Sequence, residues 1–209
     1  MPVNLKEEYT RRHKGLQEFA RRIEQDLKEI FEGMPHIDRI TARAKDIDKF
    51  LAKANKKNDR GMLKYRRPLV KIQDQVGARV IVFYKEDLLE AEKRVLDVYN
   101  EIQKDHRTPE FVNQFGYEGI HFIVHIPPEI RPLRDELKIG IDFFELQLRT
   151  LYQHAWSEAS HDIAYKPEQE LEPYEKKAIA YTAAQSWGAD QVFQQVLDGT
   201  FQEGENDDT

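Results

Sequence analysis

The sequence contains no cysteine. This absence excludes disulfide bridges, thiolate zinc sites and cysteine nucleophiles together. The sequence also lacks any apolar run near the ~18 residues that a membrane-spanning helix requires. Its first fourteen residues carry charges where a signal peptide would have an apolar stretch. We therefore expect a cytoplasmic protein without a membrane partner.

An excess of one charge is also missing from the chain as a whole. The 209 residues include 32 basic and 38 acidic side chains, which gives a net charge of −6. This balance excludes a protein that binds polyanions over its whole surface. With 40% hydrophobic and 33% charged residues, the composition is globular, and the length suits one large domain with helical extensions.

A basic segment, residues 53–71, departs from this balance because it holds eight basic residues and one acidic residue. One interpretation is a solvated, lysine-rich loop. The other is a local phosphate-binding surface on an otherwise acidic protein. The sequence leaves both interpretations open.

Hydrophobic spacing predicts the secondary structure. Leu16, Phe19, Ile23 and Leu27 follow the period of an amphipathic helix, which Pro35 ends. Runs of β-branched and aromatic residues predict strands at 80–84, 120–126 and 141–149. Further helices are predicted at 46–56, 86–104, 151–163 and 173–197, and an extended segment at 38–45.

This order of elements predicts an α+β fold, in which a mixed β-sheet is flanked by helices and extended by a helix at each end. The predicted divisions are an N-terminal helical segment at 1–35, a core at 36–166, a C-terminal helix at 167–200 and a disordered acidic tail at 201–209.

Polar and apolar residues alternate at the end of the third predicted strand. Glu145, Gln147 and Arg149 share one face, because side chains along a strand point alternately to opposite sides. Asp74 precedes the strand at 80–84. Two acids at the ends or edges of neighbouring strands suit a hard cation such as magnesium, which takes oxygen ligands together with substrate phosphates. The alternative is an ordinary solvent-facing strand.

A group of cations precedes these acids in the sequence. Arg43 and Lys45 are two residues apart in an extended segment and share a face, and Lys53 follows about two helical turns later. Guanidinium and ammonium groups that converge in this way fit a triphosphate. The sequence has no P-loop and no dinucleotide-binding fingerprint, so side-chain cations would have to hold the phosphates.

Tyr117 lies between Gly116 and Gly119 at a loop-to-strand junction. Its ring is a candidate stacking platform for a base, although the two glycines would equally suit a simple turn. His154 and His161 lie seven residues apart on one predicted helix. Because the His-Glu-x-x-His pattern is missing, a structural or phosphate-contacting role is favoured for them over a zinc site.

Taken in order, these motifs resemble the synthetase domain of the RelA/SpoT family in its small stand-alone form. The resemblance covers about residues 40–166. The motifs that carry it are Arg43-x-Lys45 with Lys53, Asp74-x-x-Gly77-x-Arg79, Gly116-Tyr117-x-x-x-His121, Glu145-x-Gln147-x-Arg149-Thr150, and Ala155-Trp156 with His161 and Tyr165-Lys166. The family has a nucleotidyltransferase-like mixed sheet flanked by helices, in agreement with the predicted fold class.

The resemblance implies a magnesium-dependent GTP diphosphokinase. Such enzymes transfer the β,γ-diphosphate of ATP to the 3′-hydroxyl of GDP or GTP and so make (p)ppGpp, the alarmones of the stringent response. On the ATP side, Arg43 and Arg79 would enclose the adenine, while Lys45 and Lys53 would bind the phosphates. Asp74 would bind the magnesium ion.

On the acceptor side, the resemblance implies that Tyr117 stacks on the base and that His121 lies near the phosphates. Glu145 would help to bind the metal or take the proton from the attacking hydroxyl. Gln147 and Arg149 would shape the site around it.

The acceptor loop departs from the family's usual Gly-Tyr-Arg-Ser-x-His. Glu118 replaces the arginine, Gly119 removes the serine hydroxyl, and Asn113 stands where a lysine is common. The acceptor is therefore open among GDP, GTP, GMP and, as in related toxins that modify the 3′ end of tRNA, a tRNA. A non-catalytic nucleotide sensor is the third alternative.

Related stand-alone enzymes assemble through terminal helices. The last predicted helix carries an apolar set that includes Trp187, Val192 and Val196. A homo-oligomer and a simple packing of this helix on the core both agree with the pattern.

Overall fold

The structure, a computed structural model, describes residues 4–109, 114–116, 118–164 and 171–201. The strands are β1 (Ile37–Ala44), β2 (Val76–Val82), β3 (Glu101–Arg107), β4 (Gly119–His125) and β5 (Phe143–Thr150). The helices are α1 (Leu5–Ile30), α2 (Ile47–Ala54), α3 (Pro68–Lys71), α4 (Asp87–Val98), α5 (Arg131–Glu136), α6 (Leu151–Ala164) and α7 (Pro173–Leu197).

The five strands form one sheet in the order β1-β2-β5-β4-β3. β2 and β5 are parallel, and the other neighbours are antiparallel. A parallel pair needs a long connection, and the chain from α4 to α5 supplies it. This mixed sheet with flanking helices confirms the predicted α+β fold class.

Helix α1 packs along β1 and shares the core of the sheet. Asn4 caps the helix by accepting a hydrogen bond from the N–H of Lys6. The apolar stripe predicted from the sequence is fully buried, and each such side chain contributes about 1.5–3 kcal/mol of burial; its members include Leu16, Phe19, Ile23 and Leu27. The Glu24 carboxylate accepts the N–H of Ala42 at 3.0 Å, which satisfies a donor of the edge strand.

The predicted helix at 86–104 is wrong after residue 98. α4 ends at Val98, and β3 follows as the edge strand that pairs antiparallel with β4. The side chains of β3 are exposed on both faces, apart from the half-buried Asp105. Its sequence therefore has no apolar alternation that would separate it from the helix before it.

β2 begins at Val76, earlier than the predicted strand. Gly77 and Arg79 therefore lie within the strand, and only Asp74 precedes it, in a 3-10 turn at Gln73–Gln75. The remaining strands and long helices lie close to their predicted positions, and α7 has the predicted bounds.

The ends of the chain are described in part. Along α7 several apolar side chains are partly exposed, among them Tyr181, Trp187 and Val196, and self-association through this helix stays a prediction. Beyond Phe201, the predicted acidic tail lies outside the described residues, and the domain boundaries also stay predictions. No helix in the described part of the chain combines the length and apolar character that crossing a bilayer demands.

A buried carboxyl group fastens α7 to the end of β5. The Thr150 hydroxyl donates to Oδ2 of Asp190 at 2.8 Å, and the Asp190 side chain is buried. Its Oδ1 is buried without a hydrogen-bond partner among the described residues. Burial raises the pKa of Asp190 to about 6, because the charged form loses its hydration.

We expect Asp190→Asn to stabilise the protein above pH 6. The raised pKa means that the folded state binds more protons than the unfolded state between about pH 4 and 6, so the contribution of Asp190 to stability falls as the pH rises through this window. Above it, the variant should gain up to about 3 kcal/mol. Thermal melting at pH 5 and pH 8 measures the difference in stability between the variant and the wild type. A difference that is the same at both pH values would contradict this account.

Candidate active site

A polar cleft of about 840 Å³ lies over one face of the sheet. The strands β1, β2, β4 and β5 form its floor, and α1, α6 and α7 contribute to its walls. Most of the residues predicted for the site line it: Arg43, Lys45, Asp74, Arg79, His121, Glu145, Gln147 and Arg149. Lys53 is not among the lining residues, but its ammonium group forms an ion pair with Asp74, which is. Tyr117 lies outside the described residues.

One row of residues across the floor has a basic residue and an acidic residue on either side of a glycine. In the register of the sheet, Gly77 of β2 lies opposite Arg43 of β1 on one side and Glu145 of β5 on the other. A Cβ at Gly77 would have no described atom within 4 Å. Because Gly77 has no side chain, the space above it, between the side chains of Arg43 and Glu145, stays open.

The next row carries three polar side chains on three strands. Arg79 of β2 pairs in register with Gln147 of β5, which pairs with His121 of β4. Because alternate residues of a strand share a face, this row points to the same side as the first. The parallel pairing of β2 with β5 thus brings two motifs that are far apart in sequence into one site.

Asp74 holds two lysines at the edge of the cleft. Its Oδ2 accepts Lys45 Nζ at 2.8 Å and Lys53 Nζ at 2.9 Å. Burial acts to raise the pKa of Asp74, but the hydrogen bonds and charges of the two lysines outweigh it and lower the pKa. The other oxygen, Oδ1, is buried with no hydrogen-bond partner among the described residues. Asp74 is thus an anion with one oxygen still to be satisfied.

Glu145 is held by two neighbours on the floor. His121 Nδ1 lies 3.0 Å from Oε1, and the Gln147 amide donates to Oε2 at 3.0 Å. Burial and the nearby charge of Asp74 act to raise the pKa of Glu145, while the contacts with His121 and Gln147 lower it, and the net shift is downward. Glu145 is therefore ionised at neutral pH and close enough to Asp74 for the two carboxylates to repel each other.

Gln147 links this acid to the arginines of the floor. Its Oε1 accepts Arg149 Nη2 at 2.6 Å and Arg79 Nε at 3.2 Å. Arg149 is buried and also donates to Ser157 of α6 at 2.8 Å, while Arg79 forms an ion pair with Glu158 of α6 at 2.7 Å. The Arg149 end of the predicted row on β5 thus contacts α6, which forms a wall of the cleft.

Several residues of the cleft were not predicted from the sequence. His13 and Gln17 come from α1, Lys176 and Ile179 from α7, and Arg107 from β3. No local motif marks the first four, because only the packing of the terminal helices brings them to the core. Arg107 was missed because it lies beyond the helix predicted at 86–104, where no strand was predicted, although its basic side chain shortly before the acceptor loop was a usable signal.

The residues present fit a magnesium ion that is bound together with a substrate. Within the described residues, no cluster of three or more His, Asp or Glu side chains would hold a metal alone. Mg²⁺ is commonly held by one or two carboxylates plus substrate phosphates. The buried, unpartnered Oδ1 of Asp74 and the neighbouring carboxylate of Glu145 match this donor set.

The fold is a five-stranded mixed sheet flanked by helices, with acids and cations on its cleft face. The chain belongs to the RelA/SpoT family: the family profile described as "Region found in RelA / SpoT proteins" matches residues 42–170, which confirms the predicted resemblance. Helix α1 and helix α7 lie outside this match. No curated protein sequence matches the chain.

Solved structures share the fold at low sequence identity. Small alarmone synthetase 1 from Bacillus subtilis, bound to its product pppGpp, is 18% identical with a TM-score of 0.68, over 90% of this chain and 95% of that one. The protein smu.1046c from Streptococcus mutans is 22% identical with a TM-score of 0.68, over 94% and 96%. A GTP pyrophosphokinase family protein from Streptococcus pneumoniae is 20% identical with a TM-score of 0.67, over 95% of both chains.

We expect Asp74→Asn to lower the free energy of unfolding by about 1–2 kcal/mol at pH 7, because Lys45 and Lys53 would remain side by side without their shared anion. The lowered pKa of Asp74 makes this contribution complete above about pH 4, the unfolded value, and lost as the pH falls through the folded value. Urea unfolding at neutral and acid pH measures it. Equal stability of variant and wild type at pH 7 would contradict the ion-pair account.

Proposed function

We propose that this protein transfers the β,γ-diphosphate of ATP to the 3′-hydroxyl of a guanosine nucleotide, GDP or GTP. The observation that carries the proposal is Asp74, which holds two lysines on one oxygen and leaves the other unsatisfied beside Glu145. Membership of the RelA/SpoT family supports it, as does the shared fold of the Bacillus subtilis enzyme that was solved with pppGpp.

The basic side chains of the cleft would bind ATP, the diphosphate donor. Phosphoryl-type transfer depends on positioning and charge neutralisation more than on covalent help. Lys45 and Lys53 would exchange the Asp74 carboxylate for the ATP phosphates, and Arg43 and Arg79 would contact the adenine. Asp74 and Glu145 would hold a magnesium ion, whose charge neutralises the diphosphate oxygens.

The acceptor half centres on Glu145. The 3′-oxygen of the acceptor bonds to the β-phosphorus of ATP, the bond from that phosphorus to the oxygen of the α-phosphate breaks, and AMP leaves. Glu145, kept ionised by its neighbours, would take the proton of the attacking hydroxyl. His121 and Gln147 hold both oxygens of this carboxylate and so would orient it toward the hydroxyl. Tyr117 would stack on the acceptor base.

A tRNA acceptor is the second candidate, favoured by the basic segment 53–71. Part of it is an ordered hairpin in which Lys57 and Leu63 form an antiparallel bridge and the Asn58 side chain accepts the N–H of Arg60. Its basic side chains from Lys56 onward are exposed, and no described acid lies within ion-pair distance of them. Such a surface attracts the phosphates of RNA.

Incubation with ATP labelled in its β,γ-phosphates distinguishes these functions. GDP, GTP, GMP and bulk tRNA are offered separately, and the proposal predicts a labelled guanosine 3′-diphosphate. If only tRNA became labelled, the guanosine nucleotide would be the wrong acceptor and the tRNA candidate would be supported. If nucleotides bound tightly and no acceptor became labelled, the protein would be a non-catalytic nucleotide sensor.

We expect Glu145→Gln and Asp74→Asn each to lower turnover at least ~100-fold, since each removes a charge that the transfer requires. Glu92→Gln is the matched control: Glu92 also has two basic partners, Lys104 at 2.9 Å and His106 at 3.5 Å, but does not line the cleft. The control should keep wild-type turnover. A folded Glu145→Gln protein that retains most of its activity would refute the mechanism.

A further inference from the structure

Tyr9 of α1 contacts both segments of the chain that carry Lys45 and Lys53. Its side chain is fully buried. The hydroxyl donates to the backbone carbonyl of Lys45 at 2.8 Å. The ring stacks in parallel on Phe50 of α2, with centroids 3.7 Å apart. One side chain of the N-terminal helix therefore contacts both elements from which the lysines project.

The backbone of Lys45 is fixed on both sides. While its carbonyl accepts the Tyr9 hydroxyl, its N–H donates to the carbonyl of Gln75, the residue after Asp74, at 2.8 Å. The next residue, Asp46, begins α2 by accepting the N–H groups of Asp48 and Lys49. The place where β1 ends and α2 begins is thus bound to the turn that carries Asp74.

The same contacts determine where Lys53 lies. Lys53 follows Phe50 by three residues on α2, so the two side chains are neighbours on the helix surface. Phe50 is fully buried against Tyr9, which fixes the rotation of this short helix. Lys53 Nζ then reaches the same Asp74 oxygen as Lys45 Nζ.

The Tyr9 hydroxyl stays protonated throughout the physiological range. Burial, followed by the charges of Asp74 and Asp46, raises the pKa of Tyr9. The hydroxyl is therefore a permanent donor to the Lys45 carbonyl.

We propose that Tyr9 is a positioning residue for the phosphate-binding lysines, through its hydrogen bond to Lys45 and its stack on Phe50. The proposal rests on the proposed function, in which Lys45 and Lys53 bind the phosphates of ATP. It makes α1, which lies outside the family match at 42–170, a part of the donor site. Tyr9 itself does not line the cleft and acts only through the residues it holds.

Tyr9→Phe tests the proposal, because it removes the hydroxyl and keeps the ring. We expect the dissociation constant of Mg·ATP, measured by calorimetry without an acceptor, to rise about fivefold, because the Lys45 backbone loses the hydrogen bond that positions its side chain; this fold-change is of the size of one hydrogen bond's free energy. The KM for ATP should rise equally, while kcat and the KM for the acceptor change less than about twofold. Phe50→Leu, which breaks the stack and keeps the hydroxyl, should weaken ATP binding in the same direction and serves if Tyr9→Phe does not fold.

Tyr99→Phe is the matched control. Tyr99 is also a buried tyrosine with its ring against another phenylalanine, Phe144, but its hydroxyl has no hydrogen-bond partner among the described residues. This variant should bind ATP as the wild type does.

Wild-type ATP affinity in folded Tyr9→Phe, whatever its melting temperature, would overturn the proposal and leave Tyr9 a structural residue. The binding readout needs no acceptor. A protein that binds ATP but transfers no diphosphate would therefore refute the proposed function while the role of Tyr9 is still decided.

Discussion

The arrangement of the site depends on one shared anion. Asp74 keeps Lys45 and Lys53 within hydrogen-bond distance of one oxygen, and two ammonium groups at that separation would otherwise repel each other. The same carboxylate leaves its second oxygen without a partner among the described residues. Asp74 therefore holds the two lysines in place and, in the proposed reaction, would exchange them for a metal ion.

The sheet supplies the frame for this exchange. The parallel pairing of β2 with β5 sets Gly77 beside Glu145 and Arg79 beside Gln147, which brings the residues proposed for the donor and for the acceptor onto one floor. Two helices complete the site: α1 contacts the Lys45 backbone through Tyr9, and α6 pairs Glu158 with Arg79. Helix α7 also contributes to the cleft wall, although many of its apolar side chains are exposed.

The parts of the site that the sequence predicted are those set by local spacing. The alternation at Glu145 and Gln147 and the Arg43-x-Lys45 pair follow from the strand period alone, and ordered motifs predicted the family. β3 was missed because exposed edge strands carry no apolar alternation. The contact of Tyr9 with Lys45 and the position of His13 in the cleft wall were missed because only tertiary packing brings α1 to the site, and no spacing within the chain reports such a contact.

Metal-free binding of ATP to Asp74→Asn tests the role of Asp74 most directly. If the lysines leave Asp74 for the phosphates, removing its charge frees them and removes a repulsion, so ATP in the presence of a chelator should bind about threefold to tenfold more tightly than to the wild type. Added magnesium should tighten binding more in the wild type than in the variant, in which Glu145 alone would remain to hold the metal. Weaker metal-free binding in the variant, or the same magnesium effect in both proteins, would contradict the account.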